Sequence, residues 1–171
     1  MKCISKGGAM QVTRANIEDI YIRYKDHVFA AGFSYFRNAA DADDIVQETF
    51  LKLMKSDRDF ESEAHLKNWI MKVAVNECKR VTLSTWFRRK ESLADYADKL
   101  VFEDPEDRGL FECVMALPKN YRQVVHLYYY EGYSVKEIAE MIGIKISAVT
   151  TRLQRARKKL REELKGGWED E

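Results

Sequence analysis

An all-α architecture, two small helical domains joined by a flexible linker with a helix-turn-helix in the second, is what this sequence predicts. Apolar residues recur at spacings of three and four through most of the chain, the period of an amphipathic helix. Only 2 prolines and 8 glycines interrupt the 171 residues, and 46% of them are hydrophobic, a composition suited to packed helices. The stripes also fall into two groups on either side of a charged stretch containing Pro105. Each group then spans about 60 to 80 residues, near the small end of stable domains.

Residues 1–15 read as an N-terminal extension. A first helix runs from Asn16, a candidate cap, to about Phe36, with Ile17, Ile20, Tyr21, Tyr24, Val28, Ala31 and Tyr35 as its stripe. A second starts near Asp41 and reaches about Met54, turning Ala42, Ile45, Val46, Thr49, Phe50 and Leu53 inward. Asp43, Asp44, Gln47, Glu48 and Lys52 are left outside. Phe60 to Asn68 is polar and aperiodic, a loop; Trp69, Ile70, Val73 and Ala74 then resume helical spacing towards Val81, closing a first domain over residues 16–87. Residues 88–108 lack a long apolar stripe and read as a linker with a single turn of helix at most.

The second domain, residues 109–165, opens with Leu110, Val114 and Leu117, breaks at Pro118 and resumes from Tyr121 to Tyr128 before Gly132. Ser134 and Glu137 have the spacing of a capping box, with Tyr133 placed to staple onto Ile138. Gly143 supplies the permissive backbone of a helix stop. Ser147 is a candidate cap for a last helix whose inner stripe is Val149, Leu153, Ala156, Leu160 and Leu164, and residues 166–171 form a tail. Helix, tight turn and helix follow in order.

Net charge is only +1, so its distribution carries the information. Residues 41–63 hold 8 acidic and 3 basic side chains, whereas residues 67–90 hold 7 basic and only Glu77 acidic. The sign flips again over residues 91–112 and once more over 119–161, the pattern of separate faces meeting partners of different sign. Cys3, Cys78 and Cys113 are odd in number and lack metal-ligand or CxxC spacing, which points to a reduced, cytoplasmic protein. No run of 18 apolar residues occurs, so neither secretion nor a membrane span is expected.

At 100° per residue, the last helix places Ser147, Thr151, Gln154, Arg155 and Lys158 opposite its apolar stripe, flanked by Arg152, Arg157 and Lys159. Alone, such a helix reads as a solvated basic end favoured by the helix dipole. Behind a capped partner helix, it reads as a recognition helix for the major groove, with amino-terminal side chains at base edges and cations on phosphates. The basic segment from Lys67 to Lys90, interleaved with Trp69, Trp86 and Phe87, offers a second nucleic-acid surface, with Asn76, Lys79 and Arg80 outward.

These residues carry a resemblance that spans about Ile17 to Leu164: the chain resembles the extracytoplasmic-function (ECF) sigma factors of bacterial RNA polymerase. Asp43-Asp44-Ile45-Val46-Gln47-Glu48-Thr49-Phe50 is similar to that family's polymerase-binding helix, and Trp69-Ile70-Met71-Lys72-Val73-Ala74-Val75-Asn76 to its minus-ten segment. Leu117 to Arg122, Glu131 to Ala139 and Val149 to Arg157 match its minus-thirty-five domain in order. The resemblance implies Asp43, Asp44, Gln47 and Glu48 as the contact to core RNA polymerase. It implies Phe60, Asn68, Asn76, Lys79 and Arg80 at the minus-ten element of promoter DNA. Ser147, Thr150, Thr151, Arg152, Arg155, Lys158 and Lys159 are implied at the minus-thirty-five element.

The sequence departs from the family at Thr150-Thr151, where Lys-Ser is common, and at Glu61-Ser62, where Arg-Gly is common; both bear on promoter sequence. An aspartate common beyond Asn76 is replaced by Arg80, which bears on the duplex contacts. An anti-sigma factor is a further implied partner.

Two other classes compete with this reading. A stand-alone helix-turn-helix regulator explains residues 110–164 but not the acidic face. A metal-dependent phosphate enzyme would use Asp43 and Asp44 to hold a divalent metal, but His27, His65 and His126 form no ligand pattern. The expectation is therefore a non-enzyme with no cofactor, metal or small-molecule substrate.

Overall fold

A computed structural model describes residues 10–83 and 105–166, and their regular structure is helical apart from one pair of two-residue strands. The readings at Cys3, Trp86, Phe87, Arg88 to Lys90, the linker up to residue 104 and the tail beyond 166 lie outside the described residues. The chain divides into two compact units, Met1–Gly32 with Ala40–Trp86, and Phe33–Ala39 with Phe87–Glu171.

Helix α1 (Ile17–Phe36) begins where the sequence places it, but Asn16 works differently from a cap. Its carbonyl accepts the Ile20 N–H at 3.1 Å, while its side chain turns back, accepting from Thr13 N–H at 2.7 Å and donating to the Gln11 carbonyl. Helix α2 (Ala39–Met54) starts two residues before Asp41, and its buried residues are the six that the period assigns inward. Gly32 allows α1 close to α2, since a Cβ there would lie 3.1 Å from the Ala42 Cα.

Strand β1 (Met10–Gln11) pairs antiparallel with β2 (Asp59–Phe60), in the register Met10 to Phe60 and Gln11 to Asp59. Met10 and Gln11 of the extension are thus tied to the first unit, which no local pattern announced. Helix α3 (Glu63–Leu83) starts well before Trp69, so most of the expected loop from Phe60 to Asn68 is helix. Ser62 explains the early start: its hydroxyl accepts the His65 N–H at 3.1 Å and its carbonyl the Leu66 N–H. Arg23 and Tyr24 of α1 both donate to the Glu63 carboxylate, fixing the first turn of α3. Burial, then that bond, pushes the Tyr24 hydroxyl up to about 12.

In the second unit, helix α4 (Pro105–Ala116) begins on proline and shortens the expected linker by four residues. A proline suits the first helical position, where its missing N–H would have no intrahelical partner. Helix α5 (Lys119–Val125) follows Pro118 and runs directly into a π turn (His126–Tyr130), in which the Glu131 N–H reaches the His126 carbonyl at 3.1 Å. Gly132, at φ 76°, ends it in the left-handed region.

Buried Arg122 donates to the carbonyls of Met115 at 3.1 Å and Leu117 at 2.7 Å, the end of α4 where helical acceptors lack partners. Burial lowers its pKa to about 10, which still leaves it charged at neutral pH.

Helix α6 (Val135–Ile142) carries the full capping box: the Ser134 hydroxyl accepts the Glu137 N–H, and the Glu137 carboxylate accepts the Ser134 N–H at 2.8 Å. Gly143 at φ 76°, ψ 42° stops the helix, with the Gly143 and Ile144 N–H groups both donating to Ala139. Helix α7 (Ile146–Gly166) follows, and α4, α5 and α6 all pack against it. Val149, Leu153 and Ala156 are buried at these contacts; a fully buried aliphatic side chain of valine or leucine size stabilises by about 1.5–3 kcal/mol. Leu160 and Leu164 are half-buried.

Candidate nucleic-acid and partner interfaces

The capping box and Gly143 fix where α6 begins and ends, and so where α7 starts. The Lys145 carbonyl accepts the N–H groups of Ala148 and Val149, so Ser147 lies inside the first turn of α7 and is not its cap. The apolar stripe faces inward, leaving Ser147, Thr151, Gln154 and Arg155 exposed and Arg152 half-buried.

Ser147, Thr151, Arg152 and Arg155 line one shallow depression together with Asn120 and Tyr121 of α5 and Lys145 of the turn. Its lining has three cations and no carboxylate, and it lies at the amino-terminal, positive end of the α7 dipole. Thr150 and Thr151 donate their hydroxyl protons to the carbonyls of Ile146 and Ser147, so towards solvent they offer acceptor lone pairs.

The structure does not bring every expected residue to this place. Thr150 is exposed but outside the depression. Lys158, near Glu162 at 3.9 Å, and exposed Lys159 lie further along α7. Arg157 is turned to another flank, donating to the Tyr129 hydroxyl at 2.6 Å and lying over the rings of Tyr128 and Tyr129. Lys145, Asn120 and Tyr121 were not anticipated. A cation in the tight turn before a recognition helix was the available signal for Lys145; α5 supplies the other two through tertiary packing alone.

In the first unit, Asp43, Asp44 and Gln47 are exposed on α2 and Glu48 is half-buried. Among the described residues none of the three carboxylates has an ion-pair partner within 4 Å. Leu51 and Met54, 46% and 61% exposed, continue this face and add apolar surface to it. The hydrophobic count alone had not separated them from the core.

Lys52, one turn beyond Glu48, bonds instead to Glu77 of α3, whose other oxygen accepts from Arg80 at 2.8 Å. Glu77 is 3% exposed. Burial alone would push its carboxyl up, but the bonds from Lys52 and Arg80 outweigh burial and hold it below the ordinary carboxylate value.

Asn68 and Asn76 are exposed on α3, and Lys79 is half-buried, its pKa lowered by that burial. One expected DNA contact lies in the core. Phe60 is 0% exposed, set edge-on against His65 and Trp69, so its ring is core. Arg80 is exposed and bonds to Glu77 one turn back on its own helix.

Two helical units, the second a helix-turn-helix with a cationic outer face, define the class: a helical DNA-binding protein. Residues 20–92 match the Sigma-70 region 2 family and residues 108–160 the Sigma-70, region 4 family. RNA polymerase sigma factor SigV of Bacillus subtilis is 30% identical over 161 residues, covering 90% of this chain and 94% of that protein. ECF RNA polymerase sigma factor SigW of the same organism is 27% identical, covering 96% and 95%.

Among solved structures, the sigma factor RpoE of Bartonella quintana, crystallised with the anti-sigma factor NepR, superposes with a TM-score of 0.66 at 20% identity over 88% of this chain and 97% of that one. CnrH, in complex with the cytosolic domain of CnrY, gives 0.60 at 22% identity over 90% of each. These two show likeness of fold. The chain belongs to the ECF family of RNA polymerase sigma factors, and its function is that of a transcription initiation factor directing RNA polymerase to promoters. No described helix is long and apolar enough to cross a membrane.

Proposed function

We propose a division of labour between the two units. The α2 face, Asp43, Asp44, Gln47 and Glu48 with Leu51 and Met54, docks on core RNA polymerase. Asn68, Asn76 and Lys79 meet the minus-ten element, with buried Phe60 as an internal support and exposed Arg80 bonded to Glu77 beside them. Ser147, Thr151, Arg152 and Arg155, joined by Lys145, Asn120 and Tyr121, read the minus-thirty-five element, while Thr150, Lys158 and Lys159 serve its edges and phosphates. The domains are residues 16–87 and 105–165, and the linker between them sets the distance between the two elements.

Melting requires no catalytic group. A protein that binds single-stranded bases better than duplex shifts the equilibrium towards the open state, and stacking offsets an unstacking cost of a few kcal/mol. The chain is accordingly a non-enzyme acting in the cytoplasm without a cofactor, metal or small-molecule substrate. An anti-sigma factor is a further partner, as for the Bartonella relative.

The observation that carries the assignment is the contrast between the carboxylate-free cationic depression on α7 and Asp43, Asp44 and Glu48 on α2, which have no ion-pair partner among the described residues. Paired variants test it. Replacing Gln47 and Glu48 with alanine removes association with core polymerase and leaves duplex binding by the free chain intact. Replacing Arg152 and Arg155 does the reverse. Loss of both activities in either variant refutes the division.

A further inference from the structure

Glu48 and Lys52 stand four residues apart on α2 with the acid on the amino-terminal side, the arrangement in which a helix most readily forms an ion pair. They do not form it. Lys52, 47% exposed and free to choose, bonds to Glu77 on α3, a carboxylate 3% exposed.

Arg80, 59% exposed, lies one turn along α3 and takes the other Glu77 oxygen at 2.8 Å. At 100° per residue it sits between Glu77 and Asn76 on α3, so a small rotation of its side chain selects the α2 side or the Asn76 side. Glu77 selects α2. Arg80 is near enough to Glu48 that its pKa is raised first by the bond to Glu77 and, least among the causes, by the Glu48 charge. Lys52 thus stands one turn from Glu48 on α2 and Arg80 feels the Glu48 charge from α3, while one buried carboxylate holds both cations.

From this geometry we propose that Glu77 is a positioning residue for polymerase binding: it captures Lys52 and Arg80 and thereby keeps the Glu48 carboxylate unpaired for the partner. The inference rests on the docking role proposed above for α2. A docking carboxylate already paired within its own chain must break that pair before it meets a partner, and the loss appears as weaker association. Arg80 correspondingly serves the docking face and not the duplex.

The test measures equilibrium binding of the full-length chain to purified core RNA polymerase without DNA. Glu77→Gln keeps the shape and removes the charge, releasing both cations onto Glu48. Binding should weaken about two- to fivefold, the range expected when exposed ion pairs compete with an interface. Adding Lys52→Ala and Arg80→Ala to Glu77→Gln removes the competitors and should restore the wild-type affinity. A purely structural role for Glu77 gives no such rescue, because the triple variant has lost still more contacts.

Unchanged binding in Glu77→Gln, or weakening that the triple variant fails to reverse, overturns the proposal. If Glu77→Gln does not fold, Glu77→Asp withdraws the charge by one methylene and predicts weakening in the same direction, with the same rescue. In parallel, Glu48→Gln distinguishes the two levels: if it leaves binding unchanged, the docking role of α2 is itself wrong. If it weakens binding while the rescue fails, only the role of Glu77 is wrong.

Discussion

Arg155 and Arg157 are two residues apart on one helix, yet the structure gives them different work. Arg155 lines the cationic depression, while Arg157 is held by the Tyr129 hydroxyl at 2.6 Å and covers two tyrosine rings. A cation that neutralises one duplex phosphate releases counterions and contributes about 0.9 to the slope of log affinity against log salt. Between 50 and 200 mM salt, that difference amounts to about a 3.5-fold change in the ratio of wild-type to variant affinity.

Arg155→Ala should therefore show a ratio that shrinks by that factor as salt rises, while Arg157→Ala shows a ratio flat across the range. The phosphate contribution does not depend on base sequence, so fluorescence anisotropy with a random duplex is sufficient. Equal slopes for Arg155→Ala and the parent, or a slope loss in Arg157→Ala as large as that expected for Arg155→Ala, would refute the placement of α7 on the duplex.

Three further outcomes follow from local geometry. Ser134→Ala removes the cap of α6 and should cost about 1 kcal/mol, seen as roughly fivefold faster hydrogen exchange at α6 amides, with duplex affinity at 25 °C unchanged. Gly32→Ala brings a methyl group to 3.1 Å from the Ala42 Cα. Overpacking of about 1–3 kcal/mol then exceeds the gain of about 1 kcal/mol in helix propensity, so the melting temperature should fall.

Glu63 and Glu77 both have pKa values lowered in the folded chain, by bonds from Arg23 and Tyr24 and from Lys52 and Arg80 that outweigh burial. Below their ordinary value of 4.5 the unfolded chain binds more protons than the folded one. Their contribution is complete above that pH and is lost as pH falls through the folded values. Denaturant titrations of Glu77→Gln should show a shallower decline in that acid range than those of the parent; an identical slope would contradict the ion-pair geometry.

The helix-turn-helix was legible because its signals are local. Ser134 with Glu137 specifies a start, Gly143 specifies a stop, and both appear in the structure in those roles. The α2 faces were legible for the same reason: six inward residues follow one period, leaving the carboxylates outside.

Long-range features were not. Pairing of Met10 with Phe60 joins strands too short to carry a pattern, and it turns a residue expected at DNA into core. The start of α3 depended on Ser62, whose capping hydroxyl precedes a polar turn that hides the apolar stripe until Leu66. Arg80 is similar: its position on α3 suggests an outward cation, and it is exposed, but the bond it donates to the buried Glu77 carboxylate, which also accepts from Lys52 of α2, depends on packing between helices. The π turn at His126–Tyr130 and the contribution of Asn120 and Tyr121 to the α7 depression likewise depend on packing between helices.

Run-off transcription with purified core RNA polymerase, using a pool of randomised promoter fragments, tests the central claim most directly. Adding the full-length chain should yield transcripts starting at defined positions and sharing two upstream elements at fixed separation, and replacing Gln47 and Glu48 with alanine should abolish them. Transcription no more specific than that of core polymerase alone, with the core of the chain's own host included among those tried, would contradict it.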